Sequence, residues 1–297
     1  MVSVIIPAYK NTDELVQNLR QNLIYLKDCE VIVVNDNPEK SIKTELKDFD
    51  LVLVENEKNL GFAGAVNAGV EKAKGKYIML LNSDVILNDS SYSKALKHFE
   101  DNDALFGVSF LQKEVDEKKV GKNTIFWDYG LVKHNAAETM DSGITAWAEG
   151  GTSIFDKEKF LKLGGFDTLY SPFYWEDIDL SYRAWKAGFE VLFDSSIIVT
   201  HHHEGTIGKY FDSRKVKKIA FRNQHIFMIK NITDRGLIFT YWLLLIPNLI
   251  YYFLKREPLF ISGFLEAFGK IKKIIEQRQK QMKSFILQDS KILSKFK

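Results

Sequence analysis

The sequence predicts an α/β fold with a Rossmann-like, mostly parallel central sheet flanked by helices, followed by an α-helical C-terminal extension. Three observations carry this. Apolar runs of strand length alternate with helical patterns through the first hundred or so residues; turn-forming residues collect where those runs end; and the periodicity becomes wholly helical after Arg214.

In chain order, strands are expected at residues 2–6, 30–34, 51–54 and 77–81, with helices at 13–26, 41–47 and 63–73 between them. Strands buried on both faces read as continuous apolar runs, and in such sheets ligands bind outside the carboxyl ends of the strands. Pro7, Asn35-Asp36 and Asn82-Ser83-Asp84 all fall at such ends, so three segments should converge on one crevice. Residues 112–145 have weak periodicity and many charges, which predicts loops and short pieces. The pattern returns over 146–155, where Gly150-Gly151 marks a bend, and over 157–163, a short helix stopped by Gly164-Gly165. Residues 178–187 have helical spacing and end at Gly188; 191–193 and 197–200 read as two strands.

The 297 residues carry a net charge of only +2, but unevenly. From Lys255 onward there are eleven Lys and Arg against four Asp and Glu, so a local +7 follows a body of about −5. Basic residues confined to the tail, without a reading module, argue against nucleic-acid binding. Cys29 is the single cysteine, which excludes an intrachain disulfide and fits a reducing compartment. The N-terminus lacks a basic stretch and a long apolar stretch, so it reads as a first strand and the protein is expected in the cytoplasm.

Residues 237–254 hold no charge over eighteen positions, although Pro247 and Asn248 interrupt the middle. Such a segment can span a bilayer, pack against its own domain, or lie in the membrane plane. The flanking sequence favours the last: Phe260, Phe264, Leu265, Phe268, Ile271 and Ile275 can share one helical face while Lys270, Lys272 and Lys273 lie elsewhere. A basic helix packing on its own domain or on a dimer partner is the alternative.

The chemistry-bearing residues form four groups. Asn82-Ser83-Asp84 places a hard oxygen ligand at the mouth of strand 77–81, suited to Mg2+ or Mn2+ bridging protein and diphosphate. Asn59, Gly61, Phe62, Gly64 and Asn67 belong to a small-residue run opening a helix, which allows a ligand to approach backbone and a positive helix end. Trp175-Glu176-Asp177-Ile178-Asp179 gathers three acids at a helix start beside Phe173 and Tyr174; desolvation there would tune a carboxylate toward base chemistry, with Asp177 the first choice and Asp179 read as dipole complementation. In His201-His202-His203, the first and third share a face, and His201 is the first candidate ligand with His203 in reserve.

With these residues in place, the chain resembles the family 2 glycosyltransferases of the GT-A fold. The matching pieces run in the family's order over residues 2–206: the segment Val4 to Lys10, Val33-Val34-Asn35-Asp36, the run 59–69, residues 80–85, Glu149-Gly150-Gly151, Gly164-Gly165-Phe166-Asp167, Trp175-Glu176-Asp177 and the histidines. The resemblance implies an inverting, metal-dependent transferase. Its nucleotide-sugar site would include Pro7, Ala8, Tyr9, Asp36, Asn59, Gly61, Phe62, Asn67, Asn82, Ser83 and Asp84; its metal would be held by Asp84 and His201; Glu149, Gly150, Gly151 and Trp175 would border the acceptor; Asp177 with Glu176 would supply the catalytic carboxylates. It further implies a catalytic domain over 1–212, divided into a nucleotide-sugar-binding half (1–110) and an acceptor-binding half (111–212), and a membrane-associating or dimerising helical region over 213–297. The run at 59–69 and the Leu-Leu-Asn-x-Asp form look like rhamnosyltransferases using dTDP-rhamnose. Galactofuranosyl-, glucosyl- or galactosyltransfer from a UDP-sugar is the near alternative. The acceptor expected is a glycan or a polyprenyl-diphosphate-linked glycan at the inner face of the cell membrane, in cell-surface polysaccharide synthesis.

Two departures matter: Asn82 replaces the first acid of the usual Asp-x-Asp, and Asn35 the first acid of the nucleotide motif. A nucleotidyltransferase would need a Gly- and Arg-rich loop after the first strand, which Pro7-Ala8-Tyr9-Lys10 does not offer. A non-catalytic glycan-binding subunit is the remaining rival.

Overall fold

The computed structural model describes residues 1–114, 116–201 and 210–296. Its first part follows the predicted alternation. Strand β1 (Val2–Ala8) leads to helix α1 (Thr12–Asn22), β2 (Cys29–Asn35) leads through turns to β3 (Val52–Glu55), and α2 (Gly61–Lys72) precedes β4 (Tyr77–Leu81). β1 lies between β2 and β4, parallel to both, and β3 extends the parallel set beyond β2. Successive side chains serve opposite faces: Val4 and Ile6 join a core under α1, while Ile5 joins the core under α2.

The chain then continues through β5 (Val85–Leu87), α3 (Lys94–Asp101), β6 (Leu105–Glu114), β7 (Lys119–Val120), β8 (Asn123–Asp128), β9 (Leu131–Ala136), β10 (Gly143–Ile144), β11 (Thr152–Asp156), α4 (Lys157–Lys162), α5 (Glu176–Lys186) and β12 (Glu190–His201). β11 inserts antiparallel between β4 and β6, and β12 runs parallel to β6. Among the described residues the main sheet has ten strands in the path β10-β12-β6-β11-β4-β1-β2-β3, with β5 on β12 and β7 on β6. β8 and β9 form a separate hairpin.

Three expectations need correction. Residues 41–47 form no helix: Leu46 N–H reaches Ile42 C=O at 3.2 Å, but the apolar spacing supports only this one turn, and Glu55 pins its start by accepting from Ile42 N–H at 3.1 Å. Residues 112–145 are largely strand. The β8–β9 hairpin closes on Tyr129-Gly130, with φ 46° and 78°, so the turn takes the left-handed conformation that Asn-Gly usually signals, with Tyr in the unusual place. Finally, the two strands expected at 191–193 and 197–200 are one, β12, whose register on β6 shifts between Asp194 and Ile198.

Helices α6 (Ser213–Asn231), α7 (Arg235–Leu254), α8 (Pro258–Phe268), α9 (Ile271–Gln281) and α10 (Asp289–Leu293) complete the chain. Phe227, Tyr241, Phe260, Ile274 and Ile292 belong to the same core as α2 and α5, so the helical region is continuous with the sheet. Asp289 fastens it. This fully buried carboxylate accepts from Tyr182 Oη at 2.7 Å, Lys186 Nζ at 2.9 Å, and the N–H groups of Thr233 and Asp234 at 2.7 Å each. Removing one partner of a buried pair leaves an uncompensated charge. Asp289→Ala should therefore cost about 3–5 kcal/mol in urea unfolding followed by circular dichroism, and adding Lys186→Met should restore part of the loss. An unchanged midpoint for the single variant would refute the role given to Asp289.

Candidate active site

The crevice at the strand ends has two corners. The first forms because β5 pairs with β12, with Val85 opposite His201, which brings the residue before β5 against the end of β12. Asp84 Oδ1 lies 3.3 Å from His201 Nε2, and it is buried without a hydrogen-bond partner. His201 Nδ1 lies 3.0 Å from Gln112 Oε1. An amide oxygen only accepts, so Nδ1 carries a proton, and Nε2 is the ring nitrogen turned toward Asp84. The turn itself is held from α1: Asn18 Nδ2 donates to Ser83 O at 2.8 Å, and Asn22 bonds both Val85 O (2.9 Å) and Leu87 N (2.8 Å).

An orphaned carboxylate oxygen beside an imidazole nitrogen is the donor set of a divalent cation. Ligands about 2.0–2.2 Å from one ion stand roughly 3 Å apart when adjacent in its shell, close to the Asp84–His201 spacing. The fit is to one edge of a shell only. No group of three or more His, Cys, Asp or Glu side chains suited to a metal gathers among the described residues, so diphosphate oxygens and water would supply the rest. His203 lies outside the described residues.

The second corner is the start of α5. Asp177 Oδ2 accepts from Gly150 N–H at 3.1 Å, and its Oδ1 accepts from Ile178 N–H at 2.8 Å. Asp177 is half-buried, and burial raises its pKa against those two amides. Glu149, also half-buried, accepts from Asn123 Nδ2 at 2.5 Å; burial first, and then the charge of Asp177, push it up to about 7. Glu176 is different. It is buried, its Oε2 has no hydrogen-bond partner, and burial followed by the charge of Asp177 raises its pKa well above the ordinary glutamate value. Asp177, less buried and held by two amides, is the more accessible carboxylate of the pair.

Tyr174 and Trp175, just before α5, both have positive φ (71° and 76°), a conformation costly for aromatic residues. α6 holds them there. Asn223 Nδ2 donates to the carbonyls of Tyr170 (2.8 Å), Phe173 (3.0 Å) and Tyr174 (2.8 Å), and Arg222 Nη2 to Ser171 O at 2.6 Å. Trp175 is buried, with its ring 5.2 Å from His134 and 5.1 Å from Phe227.

Several expected nucleotide contacts have other work. Asp36, whose pKa is raised by burial, accepts from Leu60 N (2.9 Å), Asn56 Nδ2 (2.8 Å) and Gly61 N (2.9 Å), and Asn59 Oδ1 also takes Gly61 N. Phe62 N donates to Pro172 O at 3.0 Å. The first amides of α2 are thus engaged inside the protein, which corrects the expectation that this helix end neutralises a diphosphate. Gly61, at φ 72°, is needed because a Cβ would meet the Pro172 backbone at 3.0 Å. Asn67 is also a clamp, bonding Phe166 O at 2.8 Å and Phe166 N at 3.0 Å. Pro7, Ala8 and Tyr9 do lie at the end of β1, with Tyr9 edge-on to Tyr210 at 6.3 Å and Tyr210 Oη bonded to Asn11 at 2.9 Å. Of the positioning residues, only Asn18 and Asn22 left a trace in the sequence: two amides four apart beside Leu15 and Leu19 on the buried face of α1.

The profile of glycosyl transferase family 2 matches residues 3–164, just over half of the chain. An uncharacterized glycosyltransferase of Rickettsia bellii is 34% identical over 123 residues, covering 40% of this chain and 18% of its own. The poly-beta-1,6-N-acetyl-D-glucosamine synthase of Staphylococcus epidermidis is 23% identical over 223 residues, 72% of this chain and 52% of its own. The chain thus spans about half or less of the length of these relatives. Among solved structures, GalNAc-T7 with UDP, GalNAc and Mn2+ superposes at TM-score 0.60 (16% identity; 79% of this chain, 48% of that one), and S. aureus TarS 1–349 in complex with UDP at 0.54 (15%; 99% and 90%). The shared feature at these identities is the fold, a GT-A-like sheet with a C-terminal helical region.

Because Gln112 fixes the ring of His201, Gln112→Leu should weaken Mn2+ affinity about 10- to 100-fold in calorimetric titrations with nucleoside diphosphate present. Unaltered affinity in a variant with wild-type unfolding midpoint would overturn that assignment.

Proposed function

Since the chain belongs to glycosyl transferase family 2, we propose that it transfers a sugar from a nucleoside diphosphate donor to a hydroxyl of a glycan acceptor, inverting the anomeric centre. One observation carries the reading: the half-buried Asp177, its pKa raised, is anchored by Gly150 N–H next to Gly151, which holds the turn that carries the orphaned Asp84 Oδ1. Asp177 takes the proton from the acceptor hydroxyl as its oxygen attacks the anomeric carbon from the face opposite the leaving diphosphate. The acceptor oxygen gains the glycosidic bond, and the bond from anomeric carbon to diphosphate breaks. Asp84 and His201 would hold a divalent cation, whose positive charge offsets the charge developing on the leaving diphosphate. Glu149 keeps a second carboxyl beside the base, and Trp175 closes the acceptor side.

We assign L-rhamnose from dTDP-rhamnose as the donor, on the strength of the Asn59–Gly69 run and of Leu80-Leu81-Asn82-Ser83-Asp84. The acceptor is placed on a polyprenyl diphosphate at the cytoplasmic face of the membrane, in polysaccharide synthesis, supported by the apolar and basic C-terminal helices. The poly-beta-1,6-N-acetyl-D-glucosamine synthase among the relatives and UDP in a similarly folded chain make a UDP-sugar the second reading.

Asp177→Asn should lower transfer by about a hundredfold or more while unfolding is unchanged, since a positioned base contributes about 10²–10⁴. In the wild type, transfer should fall on acidification at a pH above the ordinary aspartate range, because a base with a raised pKa is lost to protonation sooner; Glu149→Gln should move that limb to lower pH. Wild-type turnover in Asp177→Asn would eliminate it as the base.

For the donor, dTDP-rhamnose with Mn2+ should raise the melting temperature more than UDP-N-acetylglucosamine, UDP-galactofuranose, UDP-glucose or GDP-mannose at equal concentration. A larger shift with a UDP-sugar would move the assignment to that nucleotide.

A further inference from the structure

α7 is apolar on two faces, and its own chain covers only one. On the inner face Tyr241 and Leu245 are buried, Tyr241 Oη lies 3.1 Å from His225 Nδ1, and Tyr252 stacks on Phe260 at 3.9 Å. On the outer face Phe239, Leu243, Ile246, Ile250 and Phe253 recur at intervals of four and three, a single stripe, and they are 54–68% exposed. Trp242 and Tyr251 flank it. Contiguous apolar surface of this kind marks an interaction site.

The β8–β9 hairpin meets this helix at its middle. Asn248 Nδ2 donates to Tyr129 O at 2.9 Å, and a Cβ on Gly130 would touch Leu244 at 3.1 Å and Thr240 O at 3.2 Å. Tyr129 itself is 75% exposed. At its other end the same hairpin reaches the crevice, where Asn123 holds Glu149 and His134 touches Trp175.

We propose that the outer face of α7 and Tyr129 form one lipid-contacting surface, on which the protein lies in the plane of an anionic bilayer. The charges choose the occupant. Exposed Arg235 stands at one end of the apolar stripe and Lys255 and Arg256 at the other, and exposed Lys272 and Lys273 follow on α9. The neighbouring acids are taken: Asp234 accepts from Asp289 N and Ser290 N, and Glu257 pairs with Lys217. Cations ringing an apolar face suit anionic headgroups. In a twofold pairing of two α7 helices, parallel or antiparallel, those cations would meet cations. Spanning is disfavoured by the same contacts, because a spanning α7 would carry the hairpin tip and its backbone polar groups into hydrocarbon.

The hairpin then sets a distance. Six residues of β8 at about 3.3 Å per residue separate lipid surface from acceptor side by at most about 20 Å. Resting on the transferase reading, this points to an acceptor whose reacting hydroxyl stands off its lipid by a polar spacer of up to that length, a diphosphate and a few sugars.

The test is flotation of the full chain with preformed vesicles of phosphatidylcholine, with and without about one-third phosphatidylglycerol, comparing wild type with Ile246→Glu/Ile250→Glu. Wild type should float with the anionic vesicles, and the double variant should partition at least about tenfold less, with its unfolding midpoint unchanged. Trp242 emission, taken as the difference from Trp242→Phe, should be quenched by lipids brominated near the headgroup and not by those brominated near the terminal methyl. Absence of wild-type binding, quenching from the bilayer centre, or a wild-type dimer that the double variant dissolves would each overturn the proposal. Transfer to a water-soluble acceptor should be equal in both proteins; its loss in both would count against the transferase reading and leave lipid binding standing.

Discussion

The buried carboxylate of Asp179 is the constraint on which the site depends. Burial alone would raise its pKa, but Arg183 and Lys230 bring it down to about 2, so it is a fixed anion inside the protein. Arg183 Nε lies 2.8 Å away and Lys230 Nζ 2.8 Å, with Asn231 and Tyr170 completing the shell. The same cations reach outward: Arg183 donates to Leu163 O and Gly165 O, and Lys230 to Asp167. One anion therefore pins α5, α6 and the 163–167 turn to a common point. Asp177 sits two residues earlier on α5, and its position inherits that rigidity.

Three acids within one helical turn consequently have three fates. Glu176 is buried with one carboxyl oxygen unpartnered, and its pKa is raised well above the ordinary value; Asp179 is buried and doubly paired and stays ionised; Asp177 alone is half-buried, with its pKa raised. Composition cannot separate them, because all three carry the same group at the favourable end of the same helix. Besides near neighbours such as Arg183, Tyr170 and Ile178, the partners that separate them are Lys230 and Asn231 of α6 and Gly150 in the loop after β10, tens of residues away. The strained Tyr174 and Trp175 likewise persist because Asn223, nearly fifty residues on, satisfies three carbonyls with one amide.

This explains what was legible in the sequence. β1, β2 and β4 were plain, because strands buried on both faces are apolar without interruption. The convergence of strand ends and the Asp84–His201 contact followed from topology and local chemistry. What stayed hidden depended on partners. Asp36 clamps the start of α2, and Asn67 bonds the backbone of Phe166, neither of which its own segment announces. Gln112 gave no signal, since a glutamine late in a strand matters only once β12 has placed His201 beside it. The β8–β9 hairpin was hidden by a Tyr in a position where turn chemistry calls for Asn or Gly.

The two corners of the crevice are joined through Gly150 and Gly151. Gly151 O accepts Asn82 N–H at 2.9 Å, and a Cβ there would stand 2.3 Å from the Asn82 side chain; one residue earlier, Gly150 N–H holds Asp177. A two-residue bend thus ties the turn that carries Asp84 to the carboxylate that would take the proton. A Cβ at Gly151 would have to displace the Asn82 amide from its place beside Asp84, and in an in-line displacement an error of about 1 Å is enough to cost about two orders of magnitude in rate. The missing side chain at Gly151 therefore leaves room for the Asn82 amide beside the turn that carries Asp84.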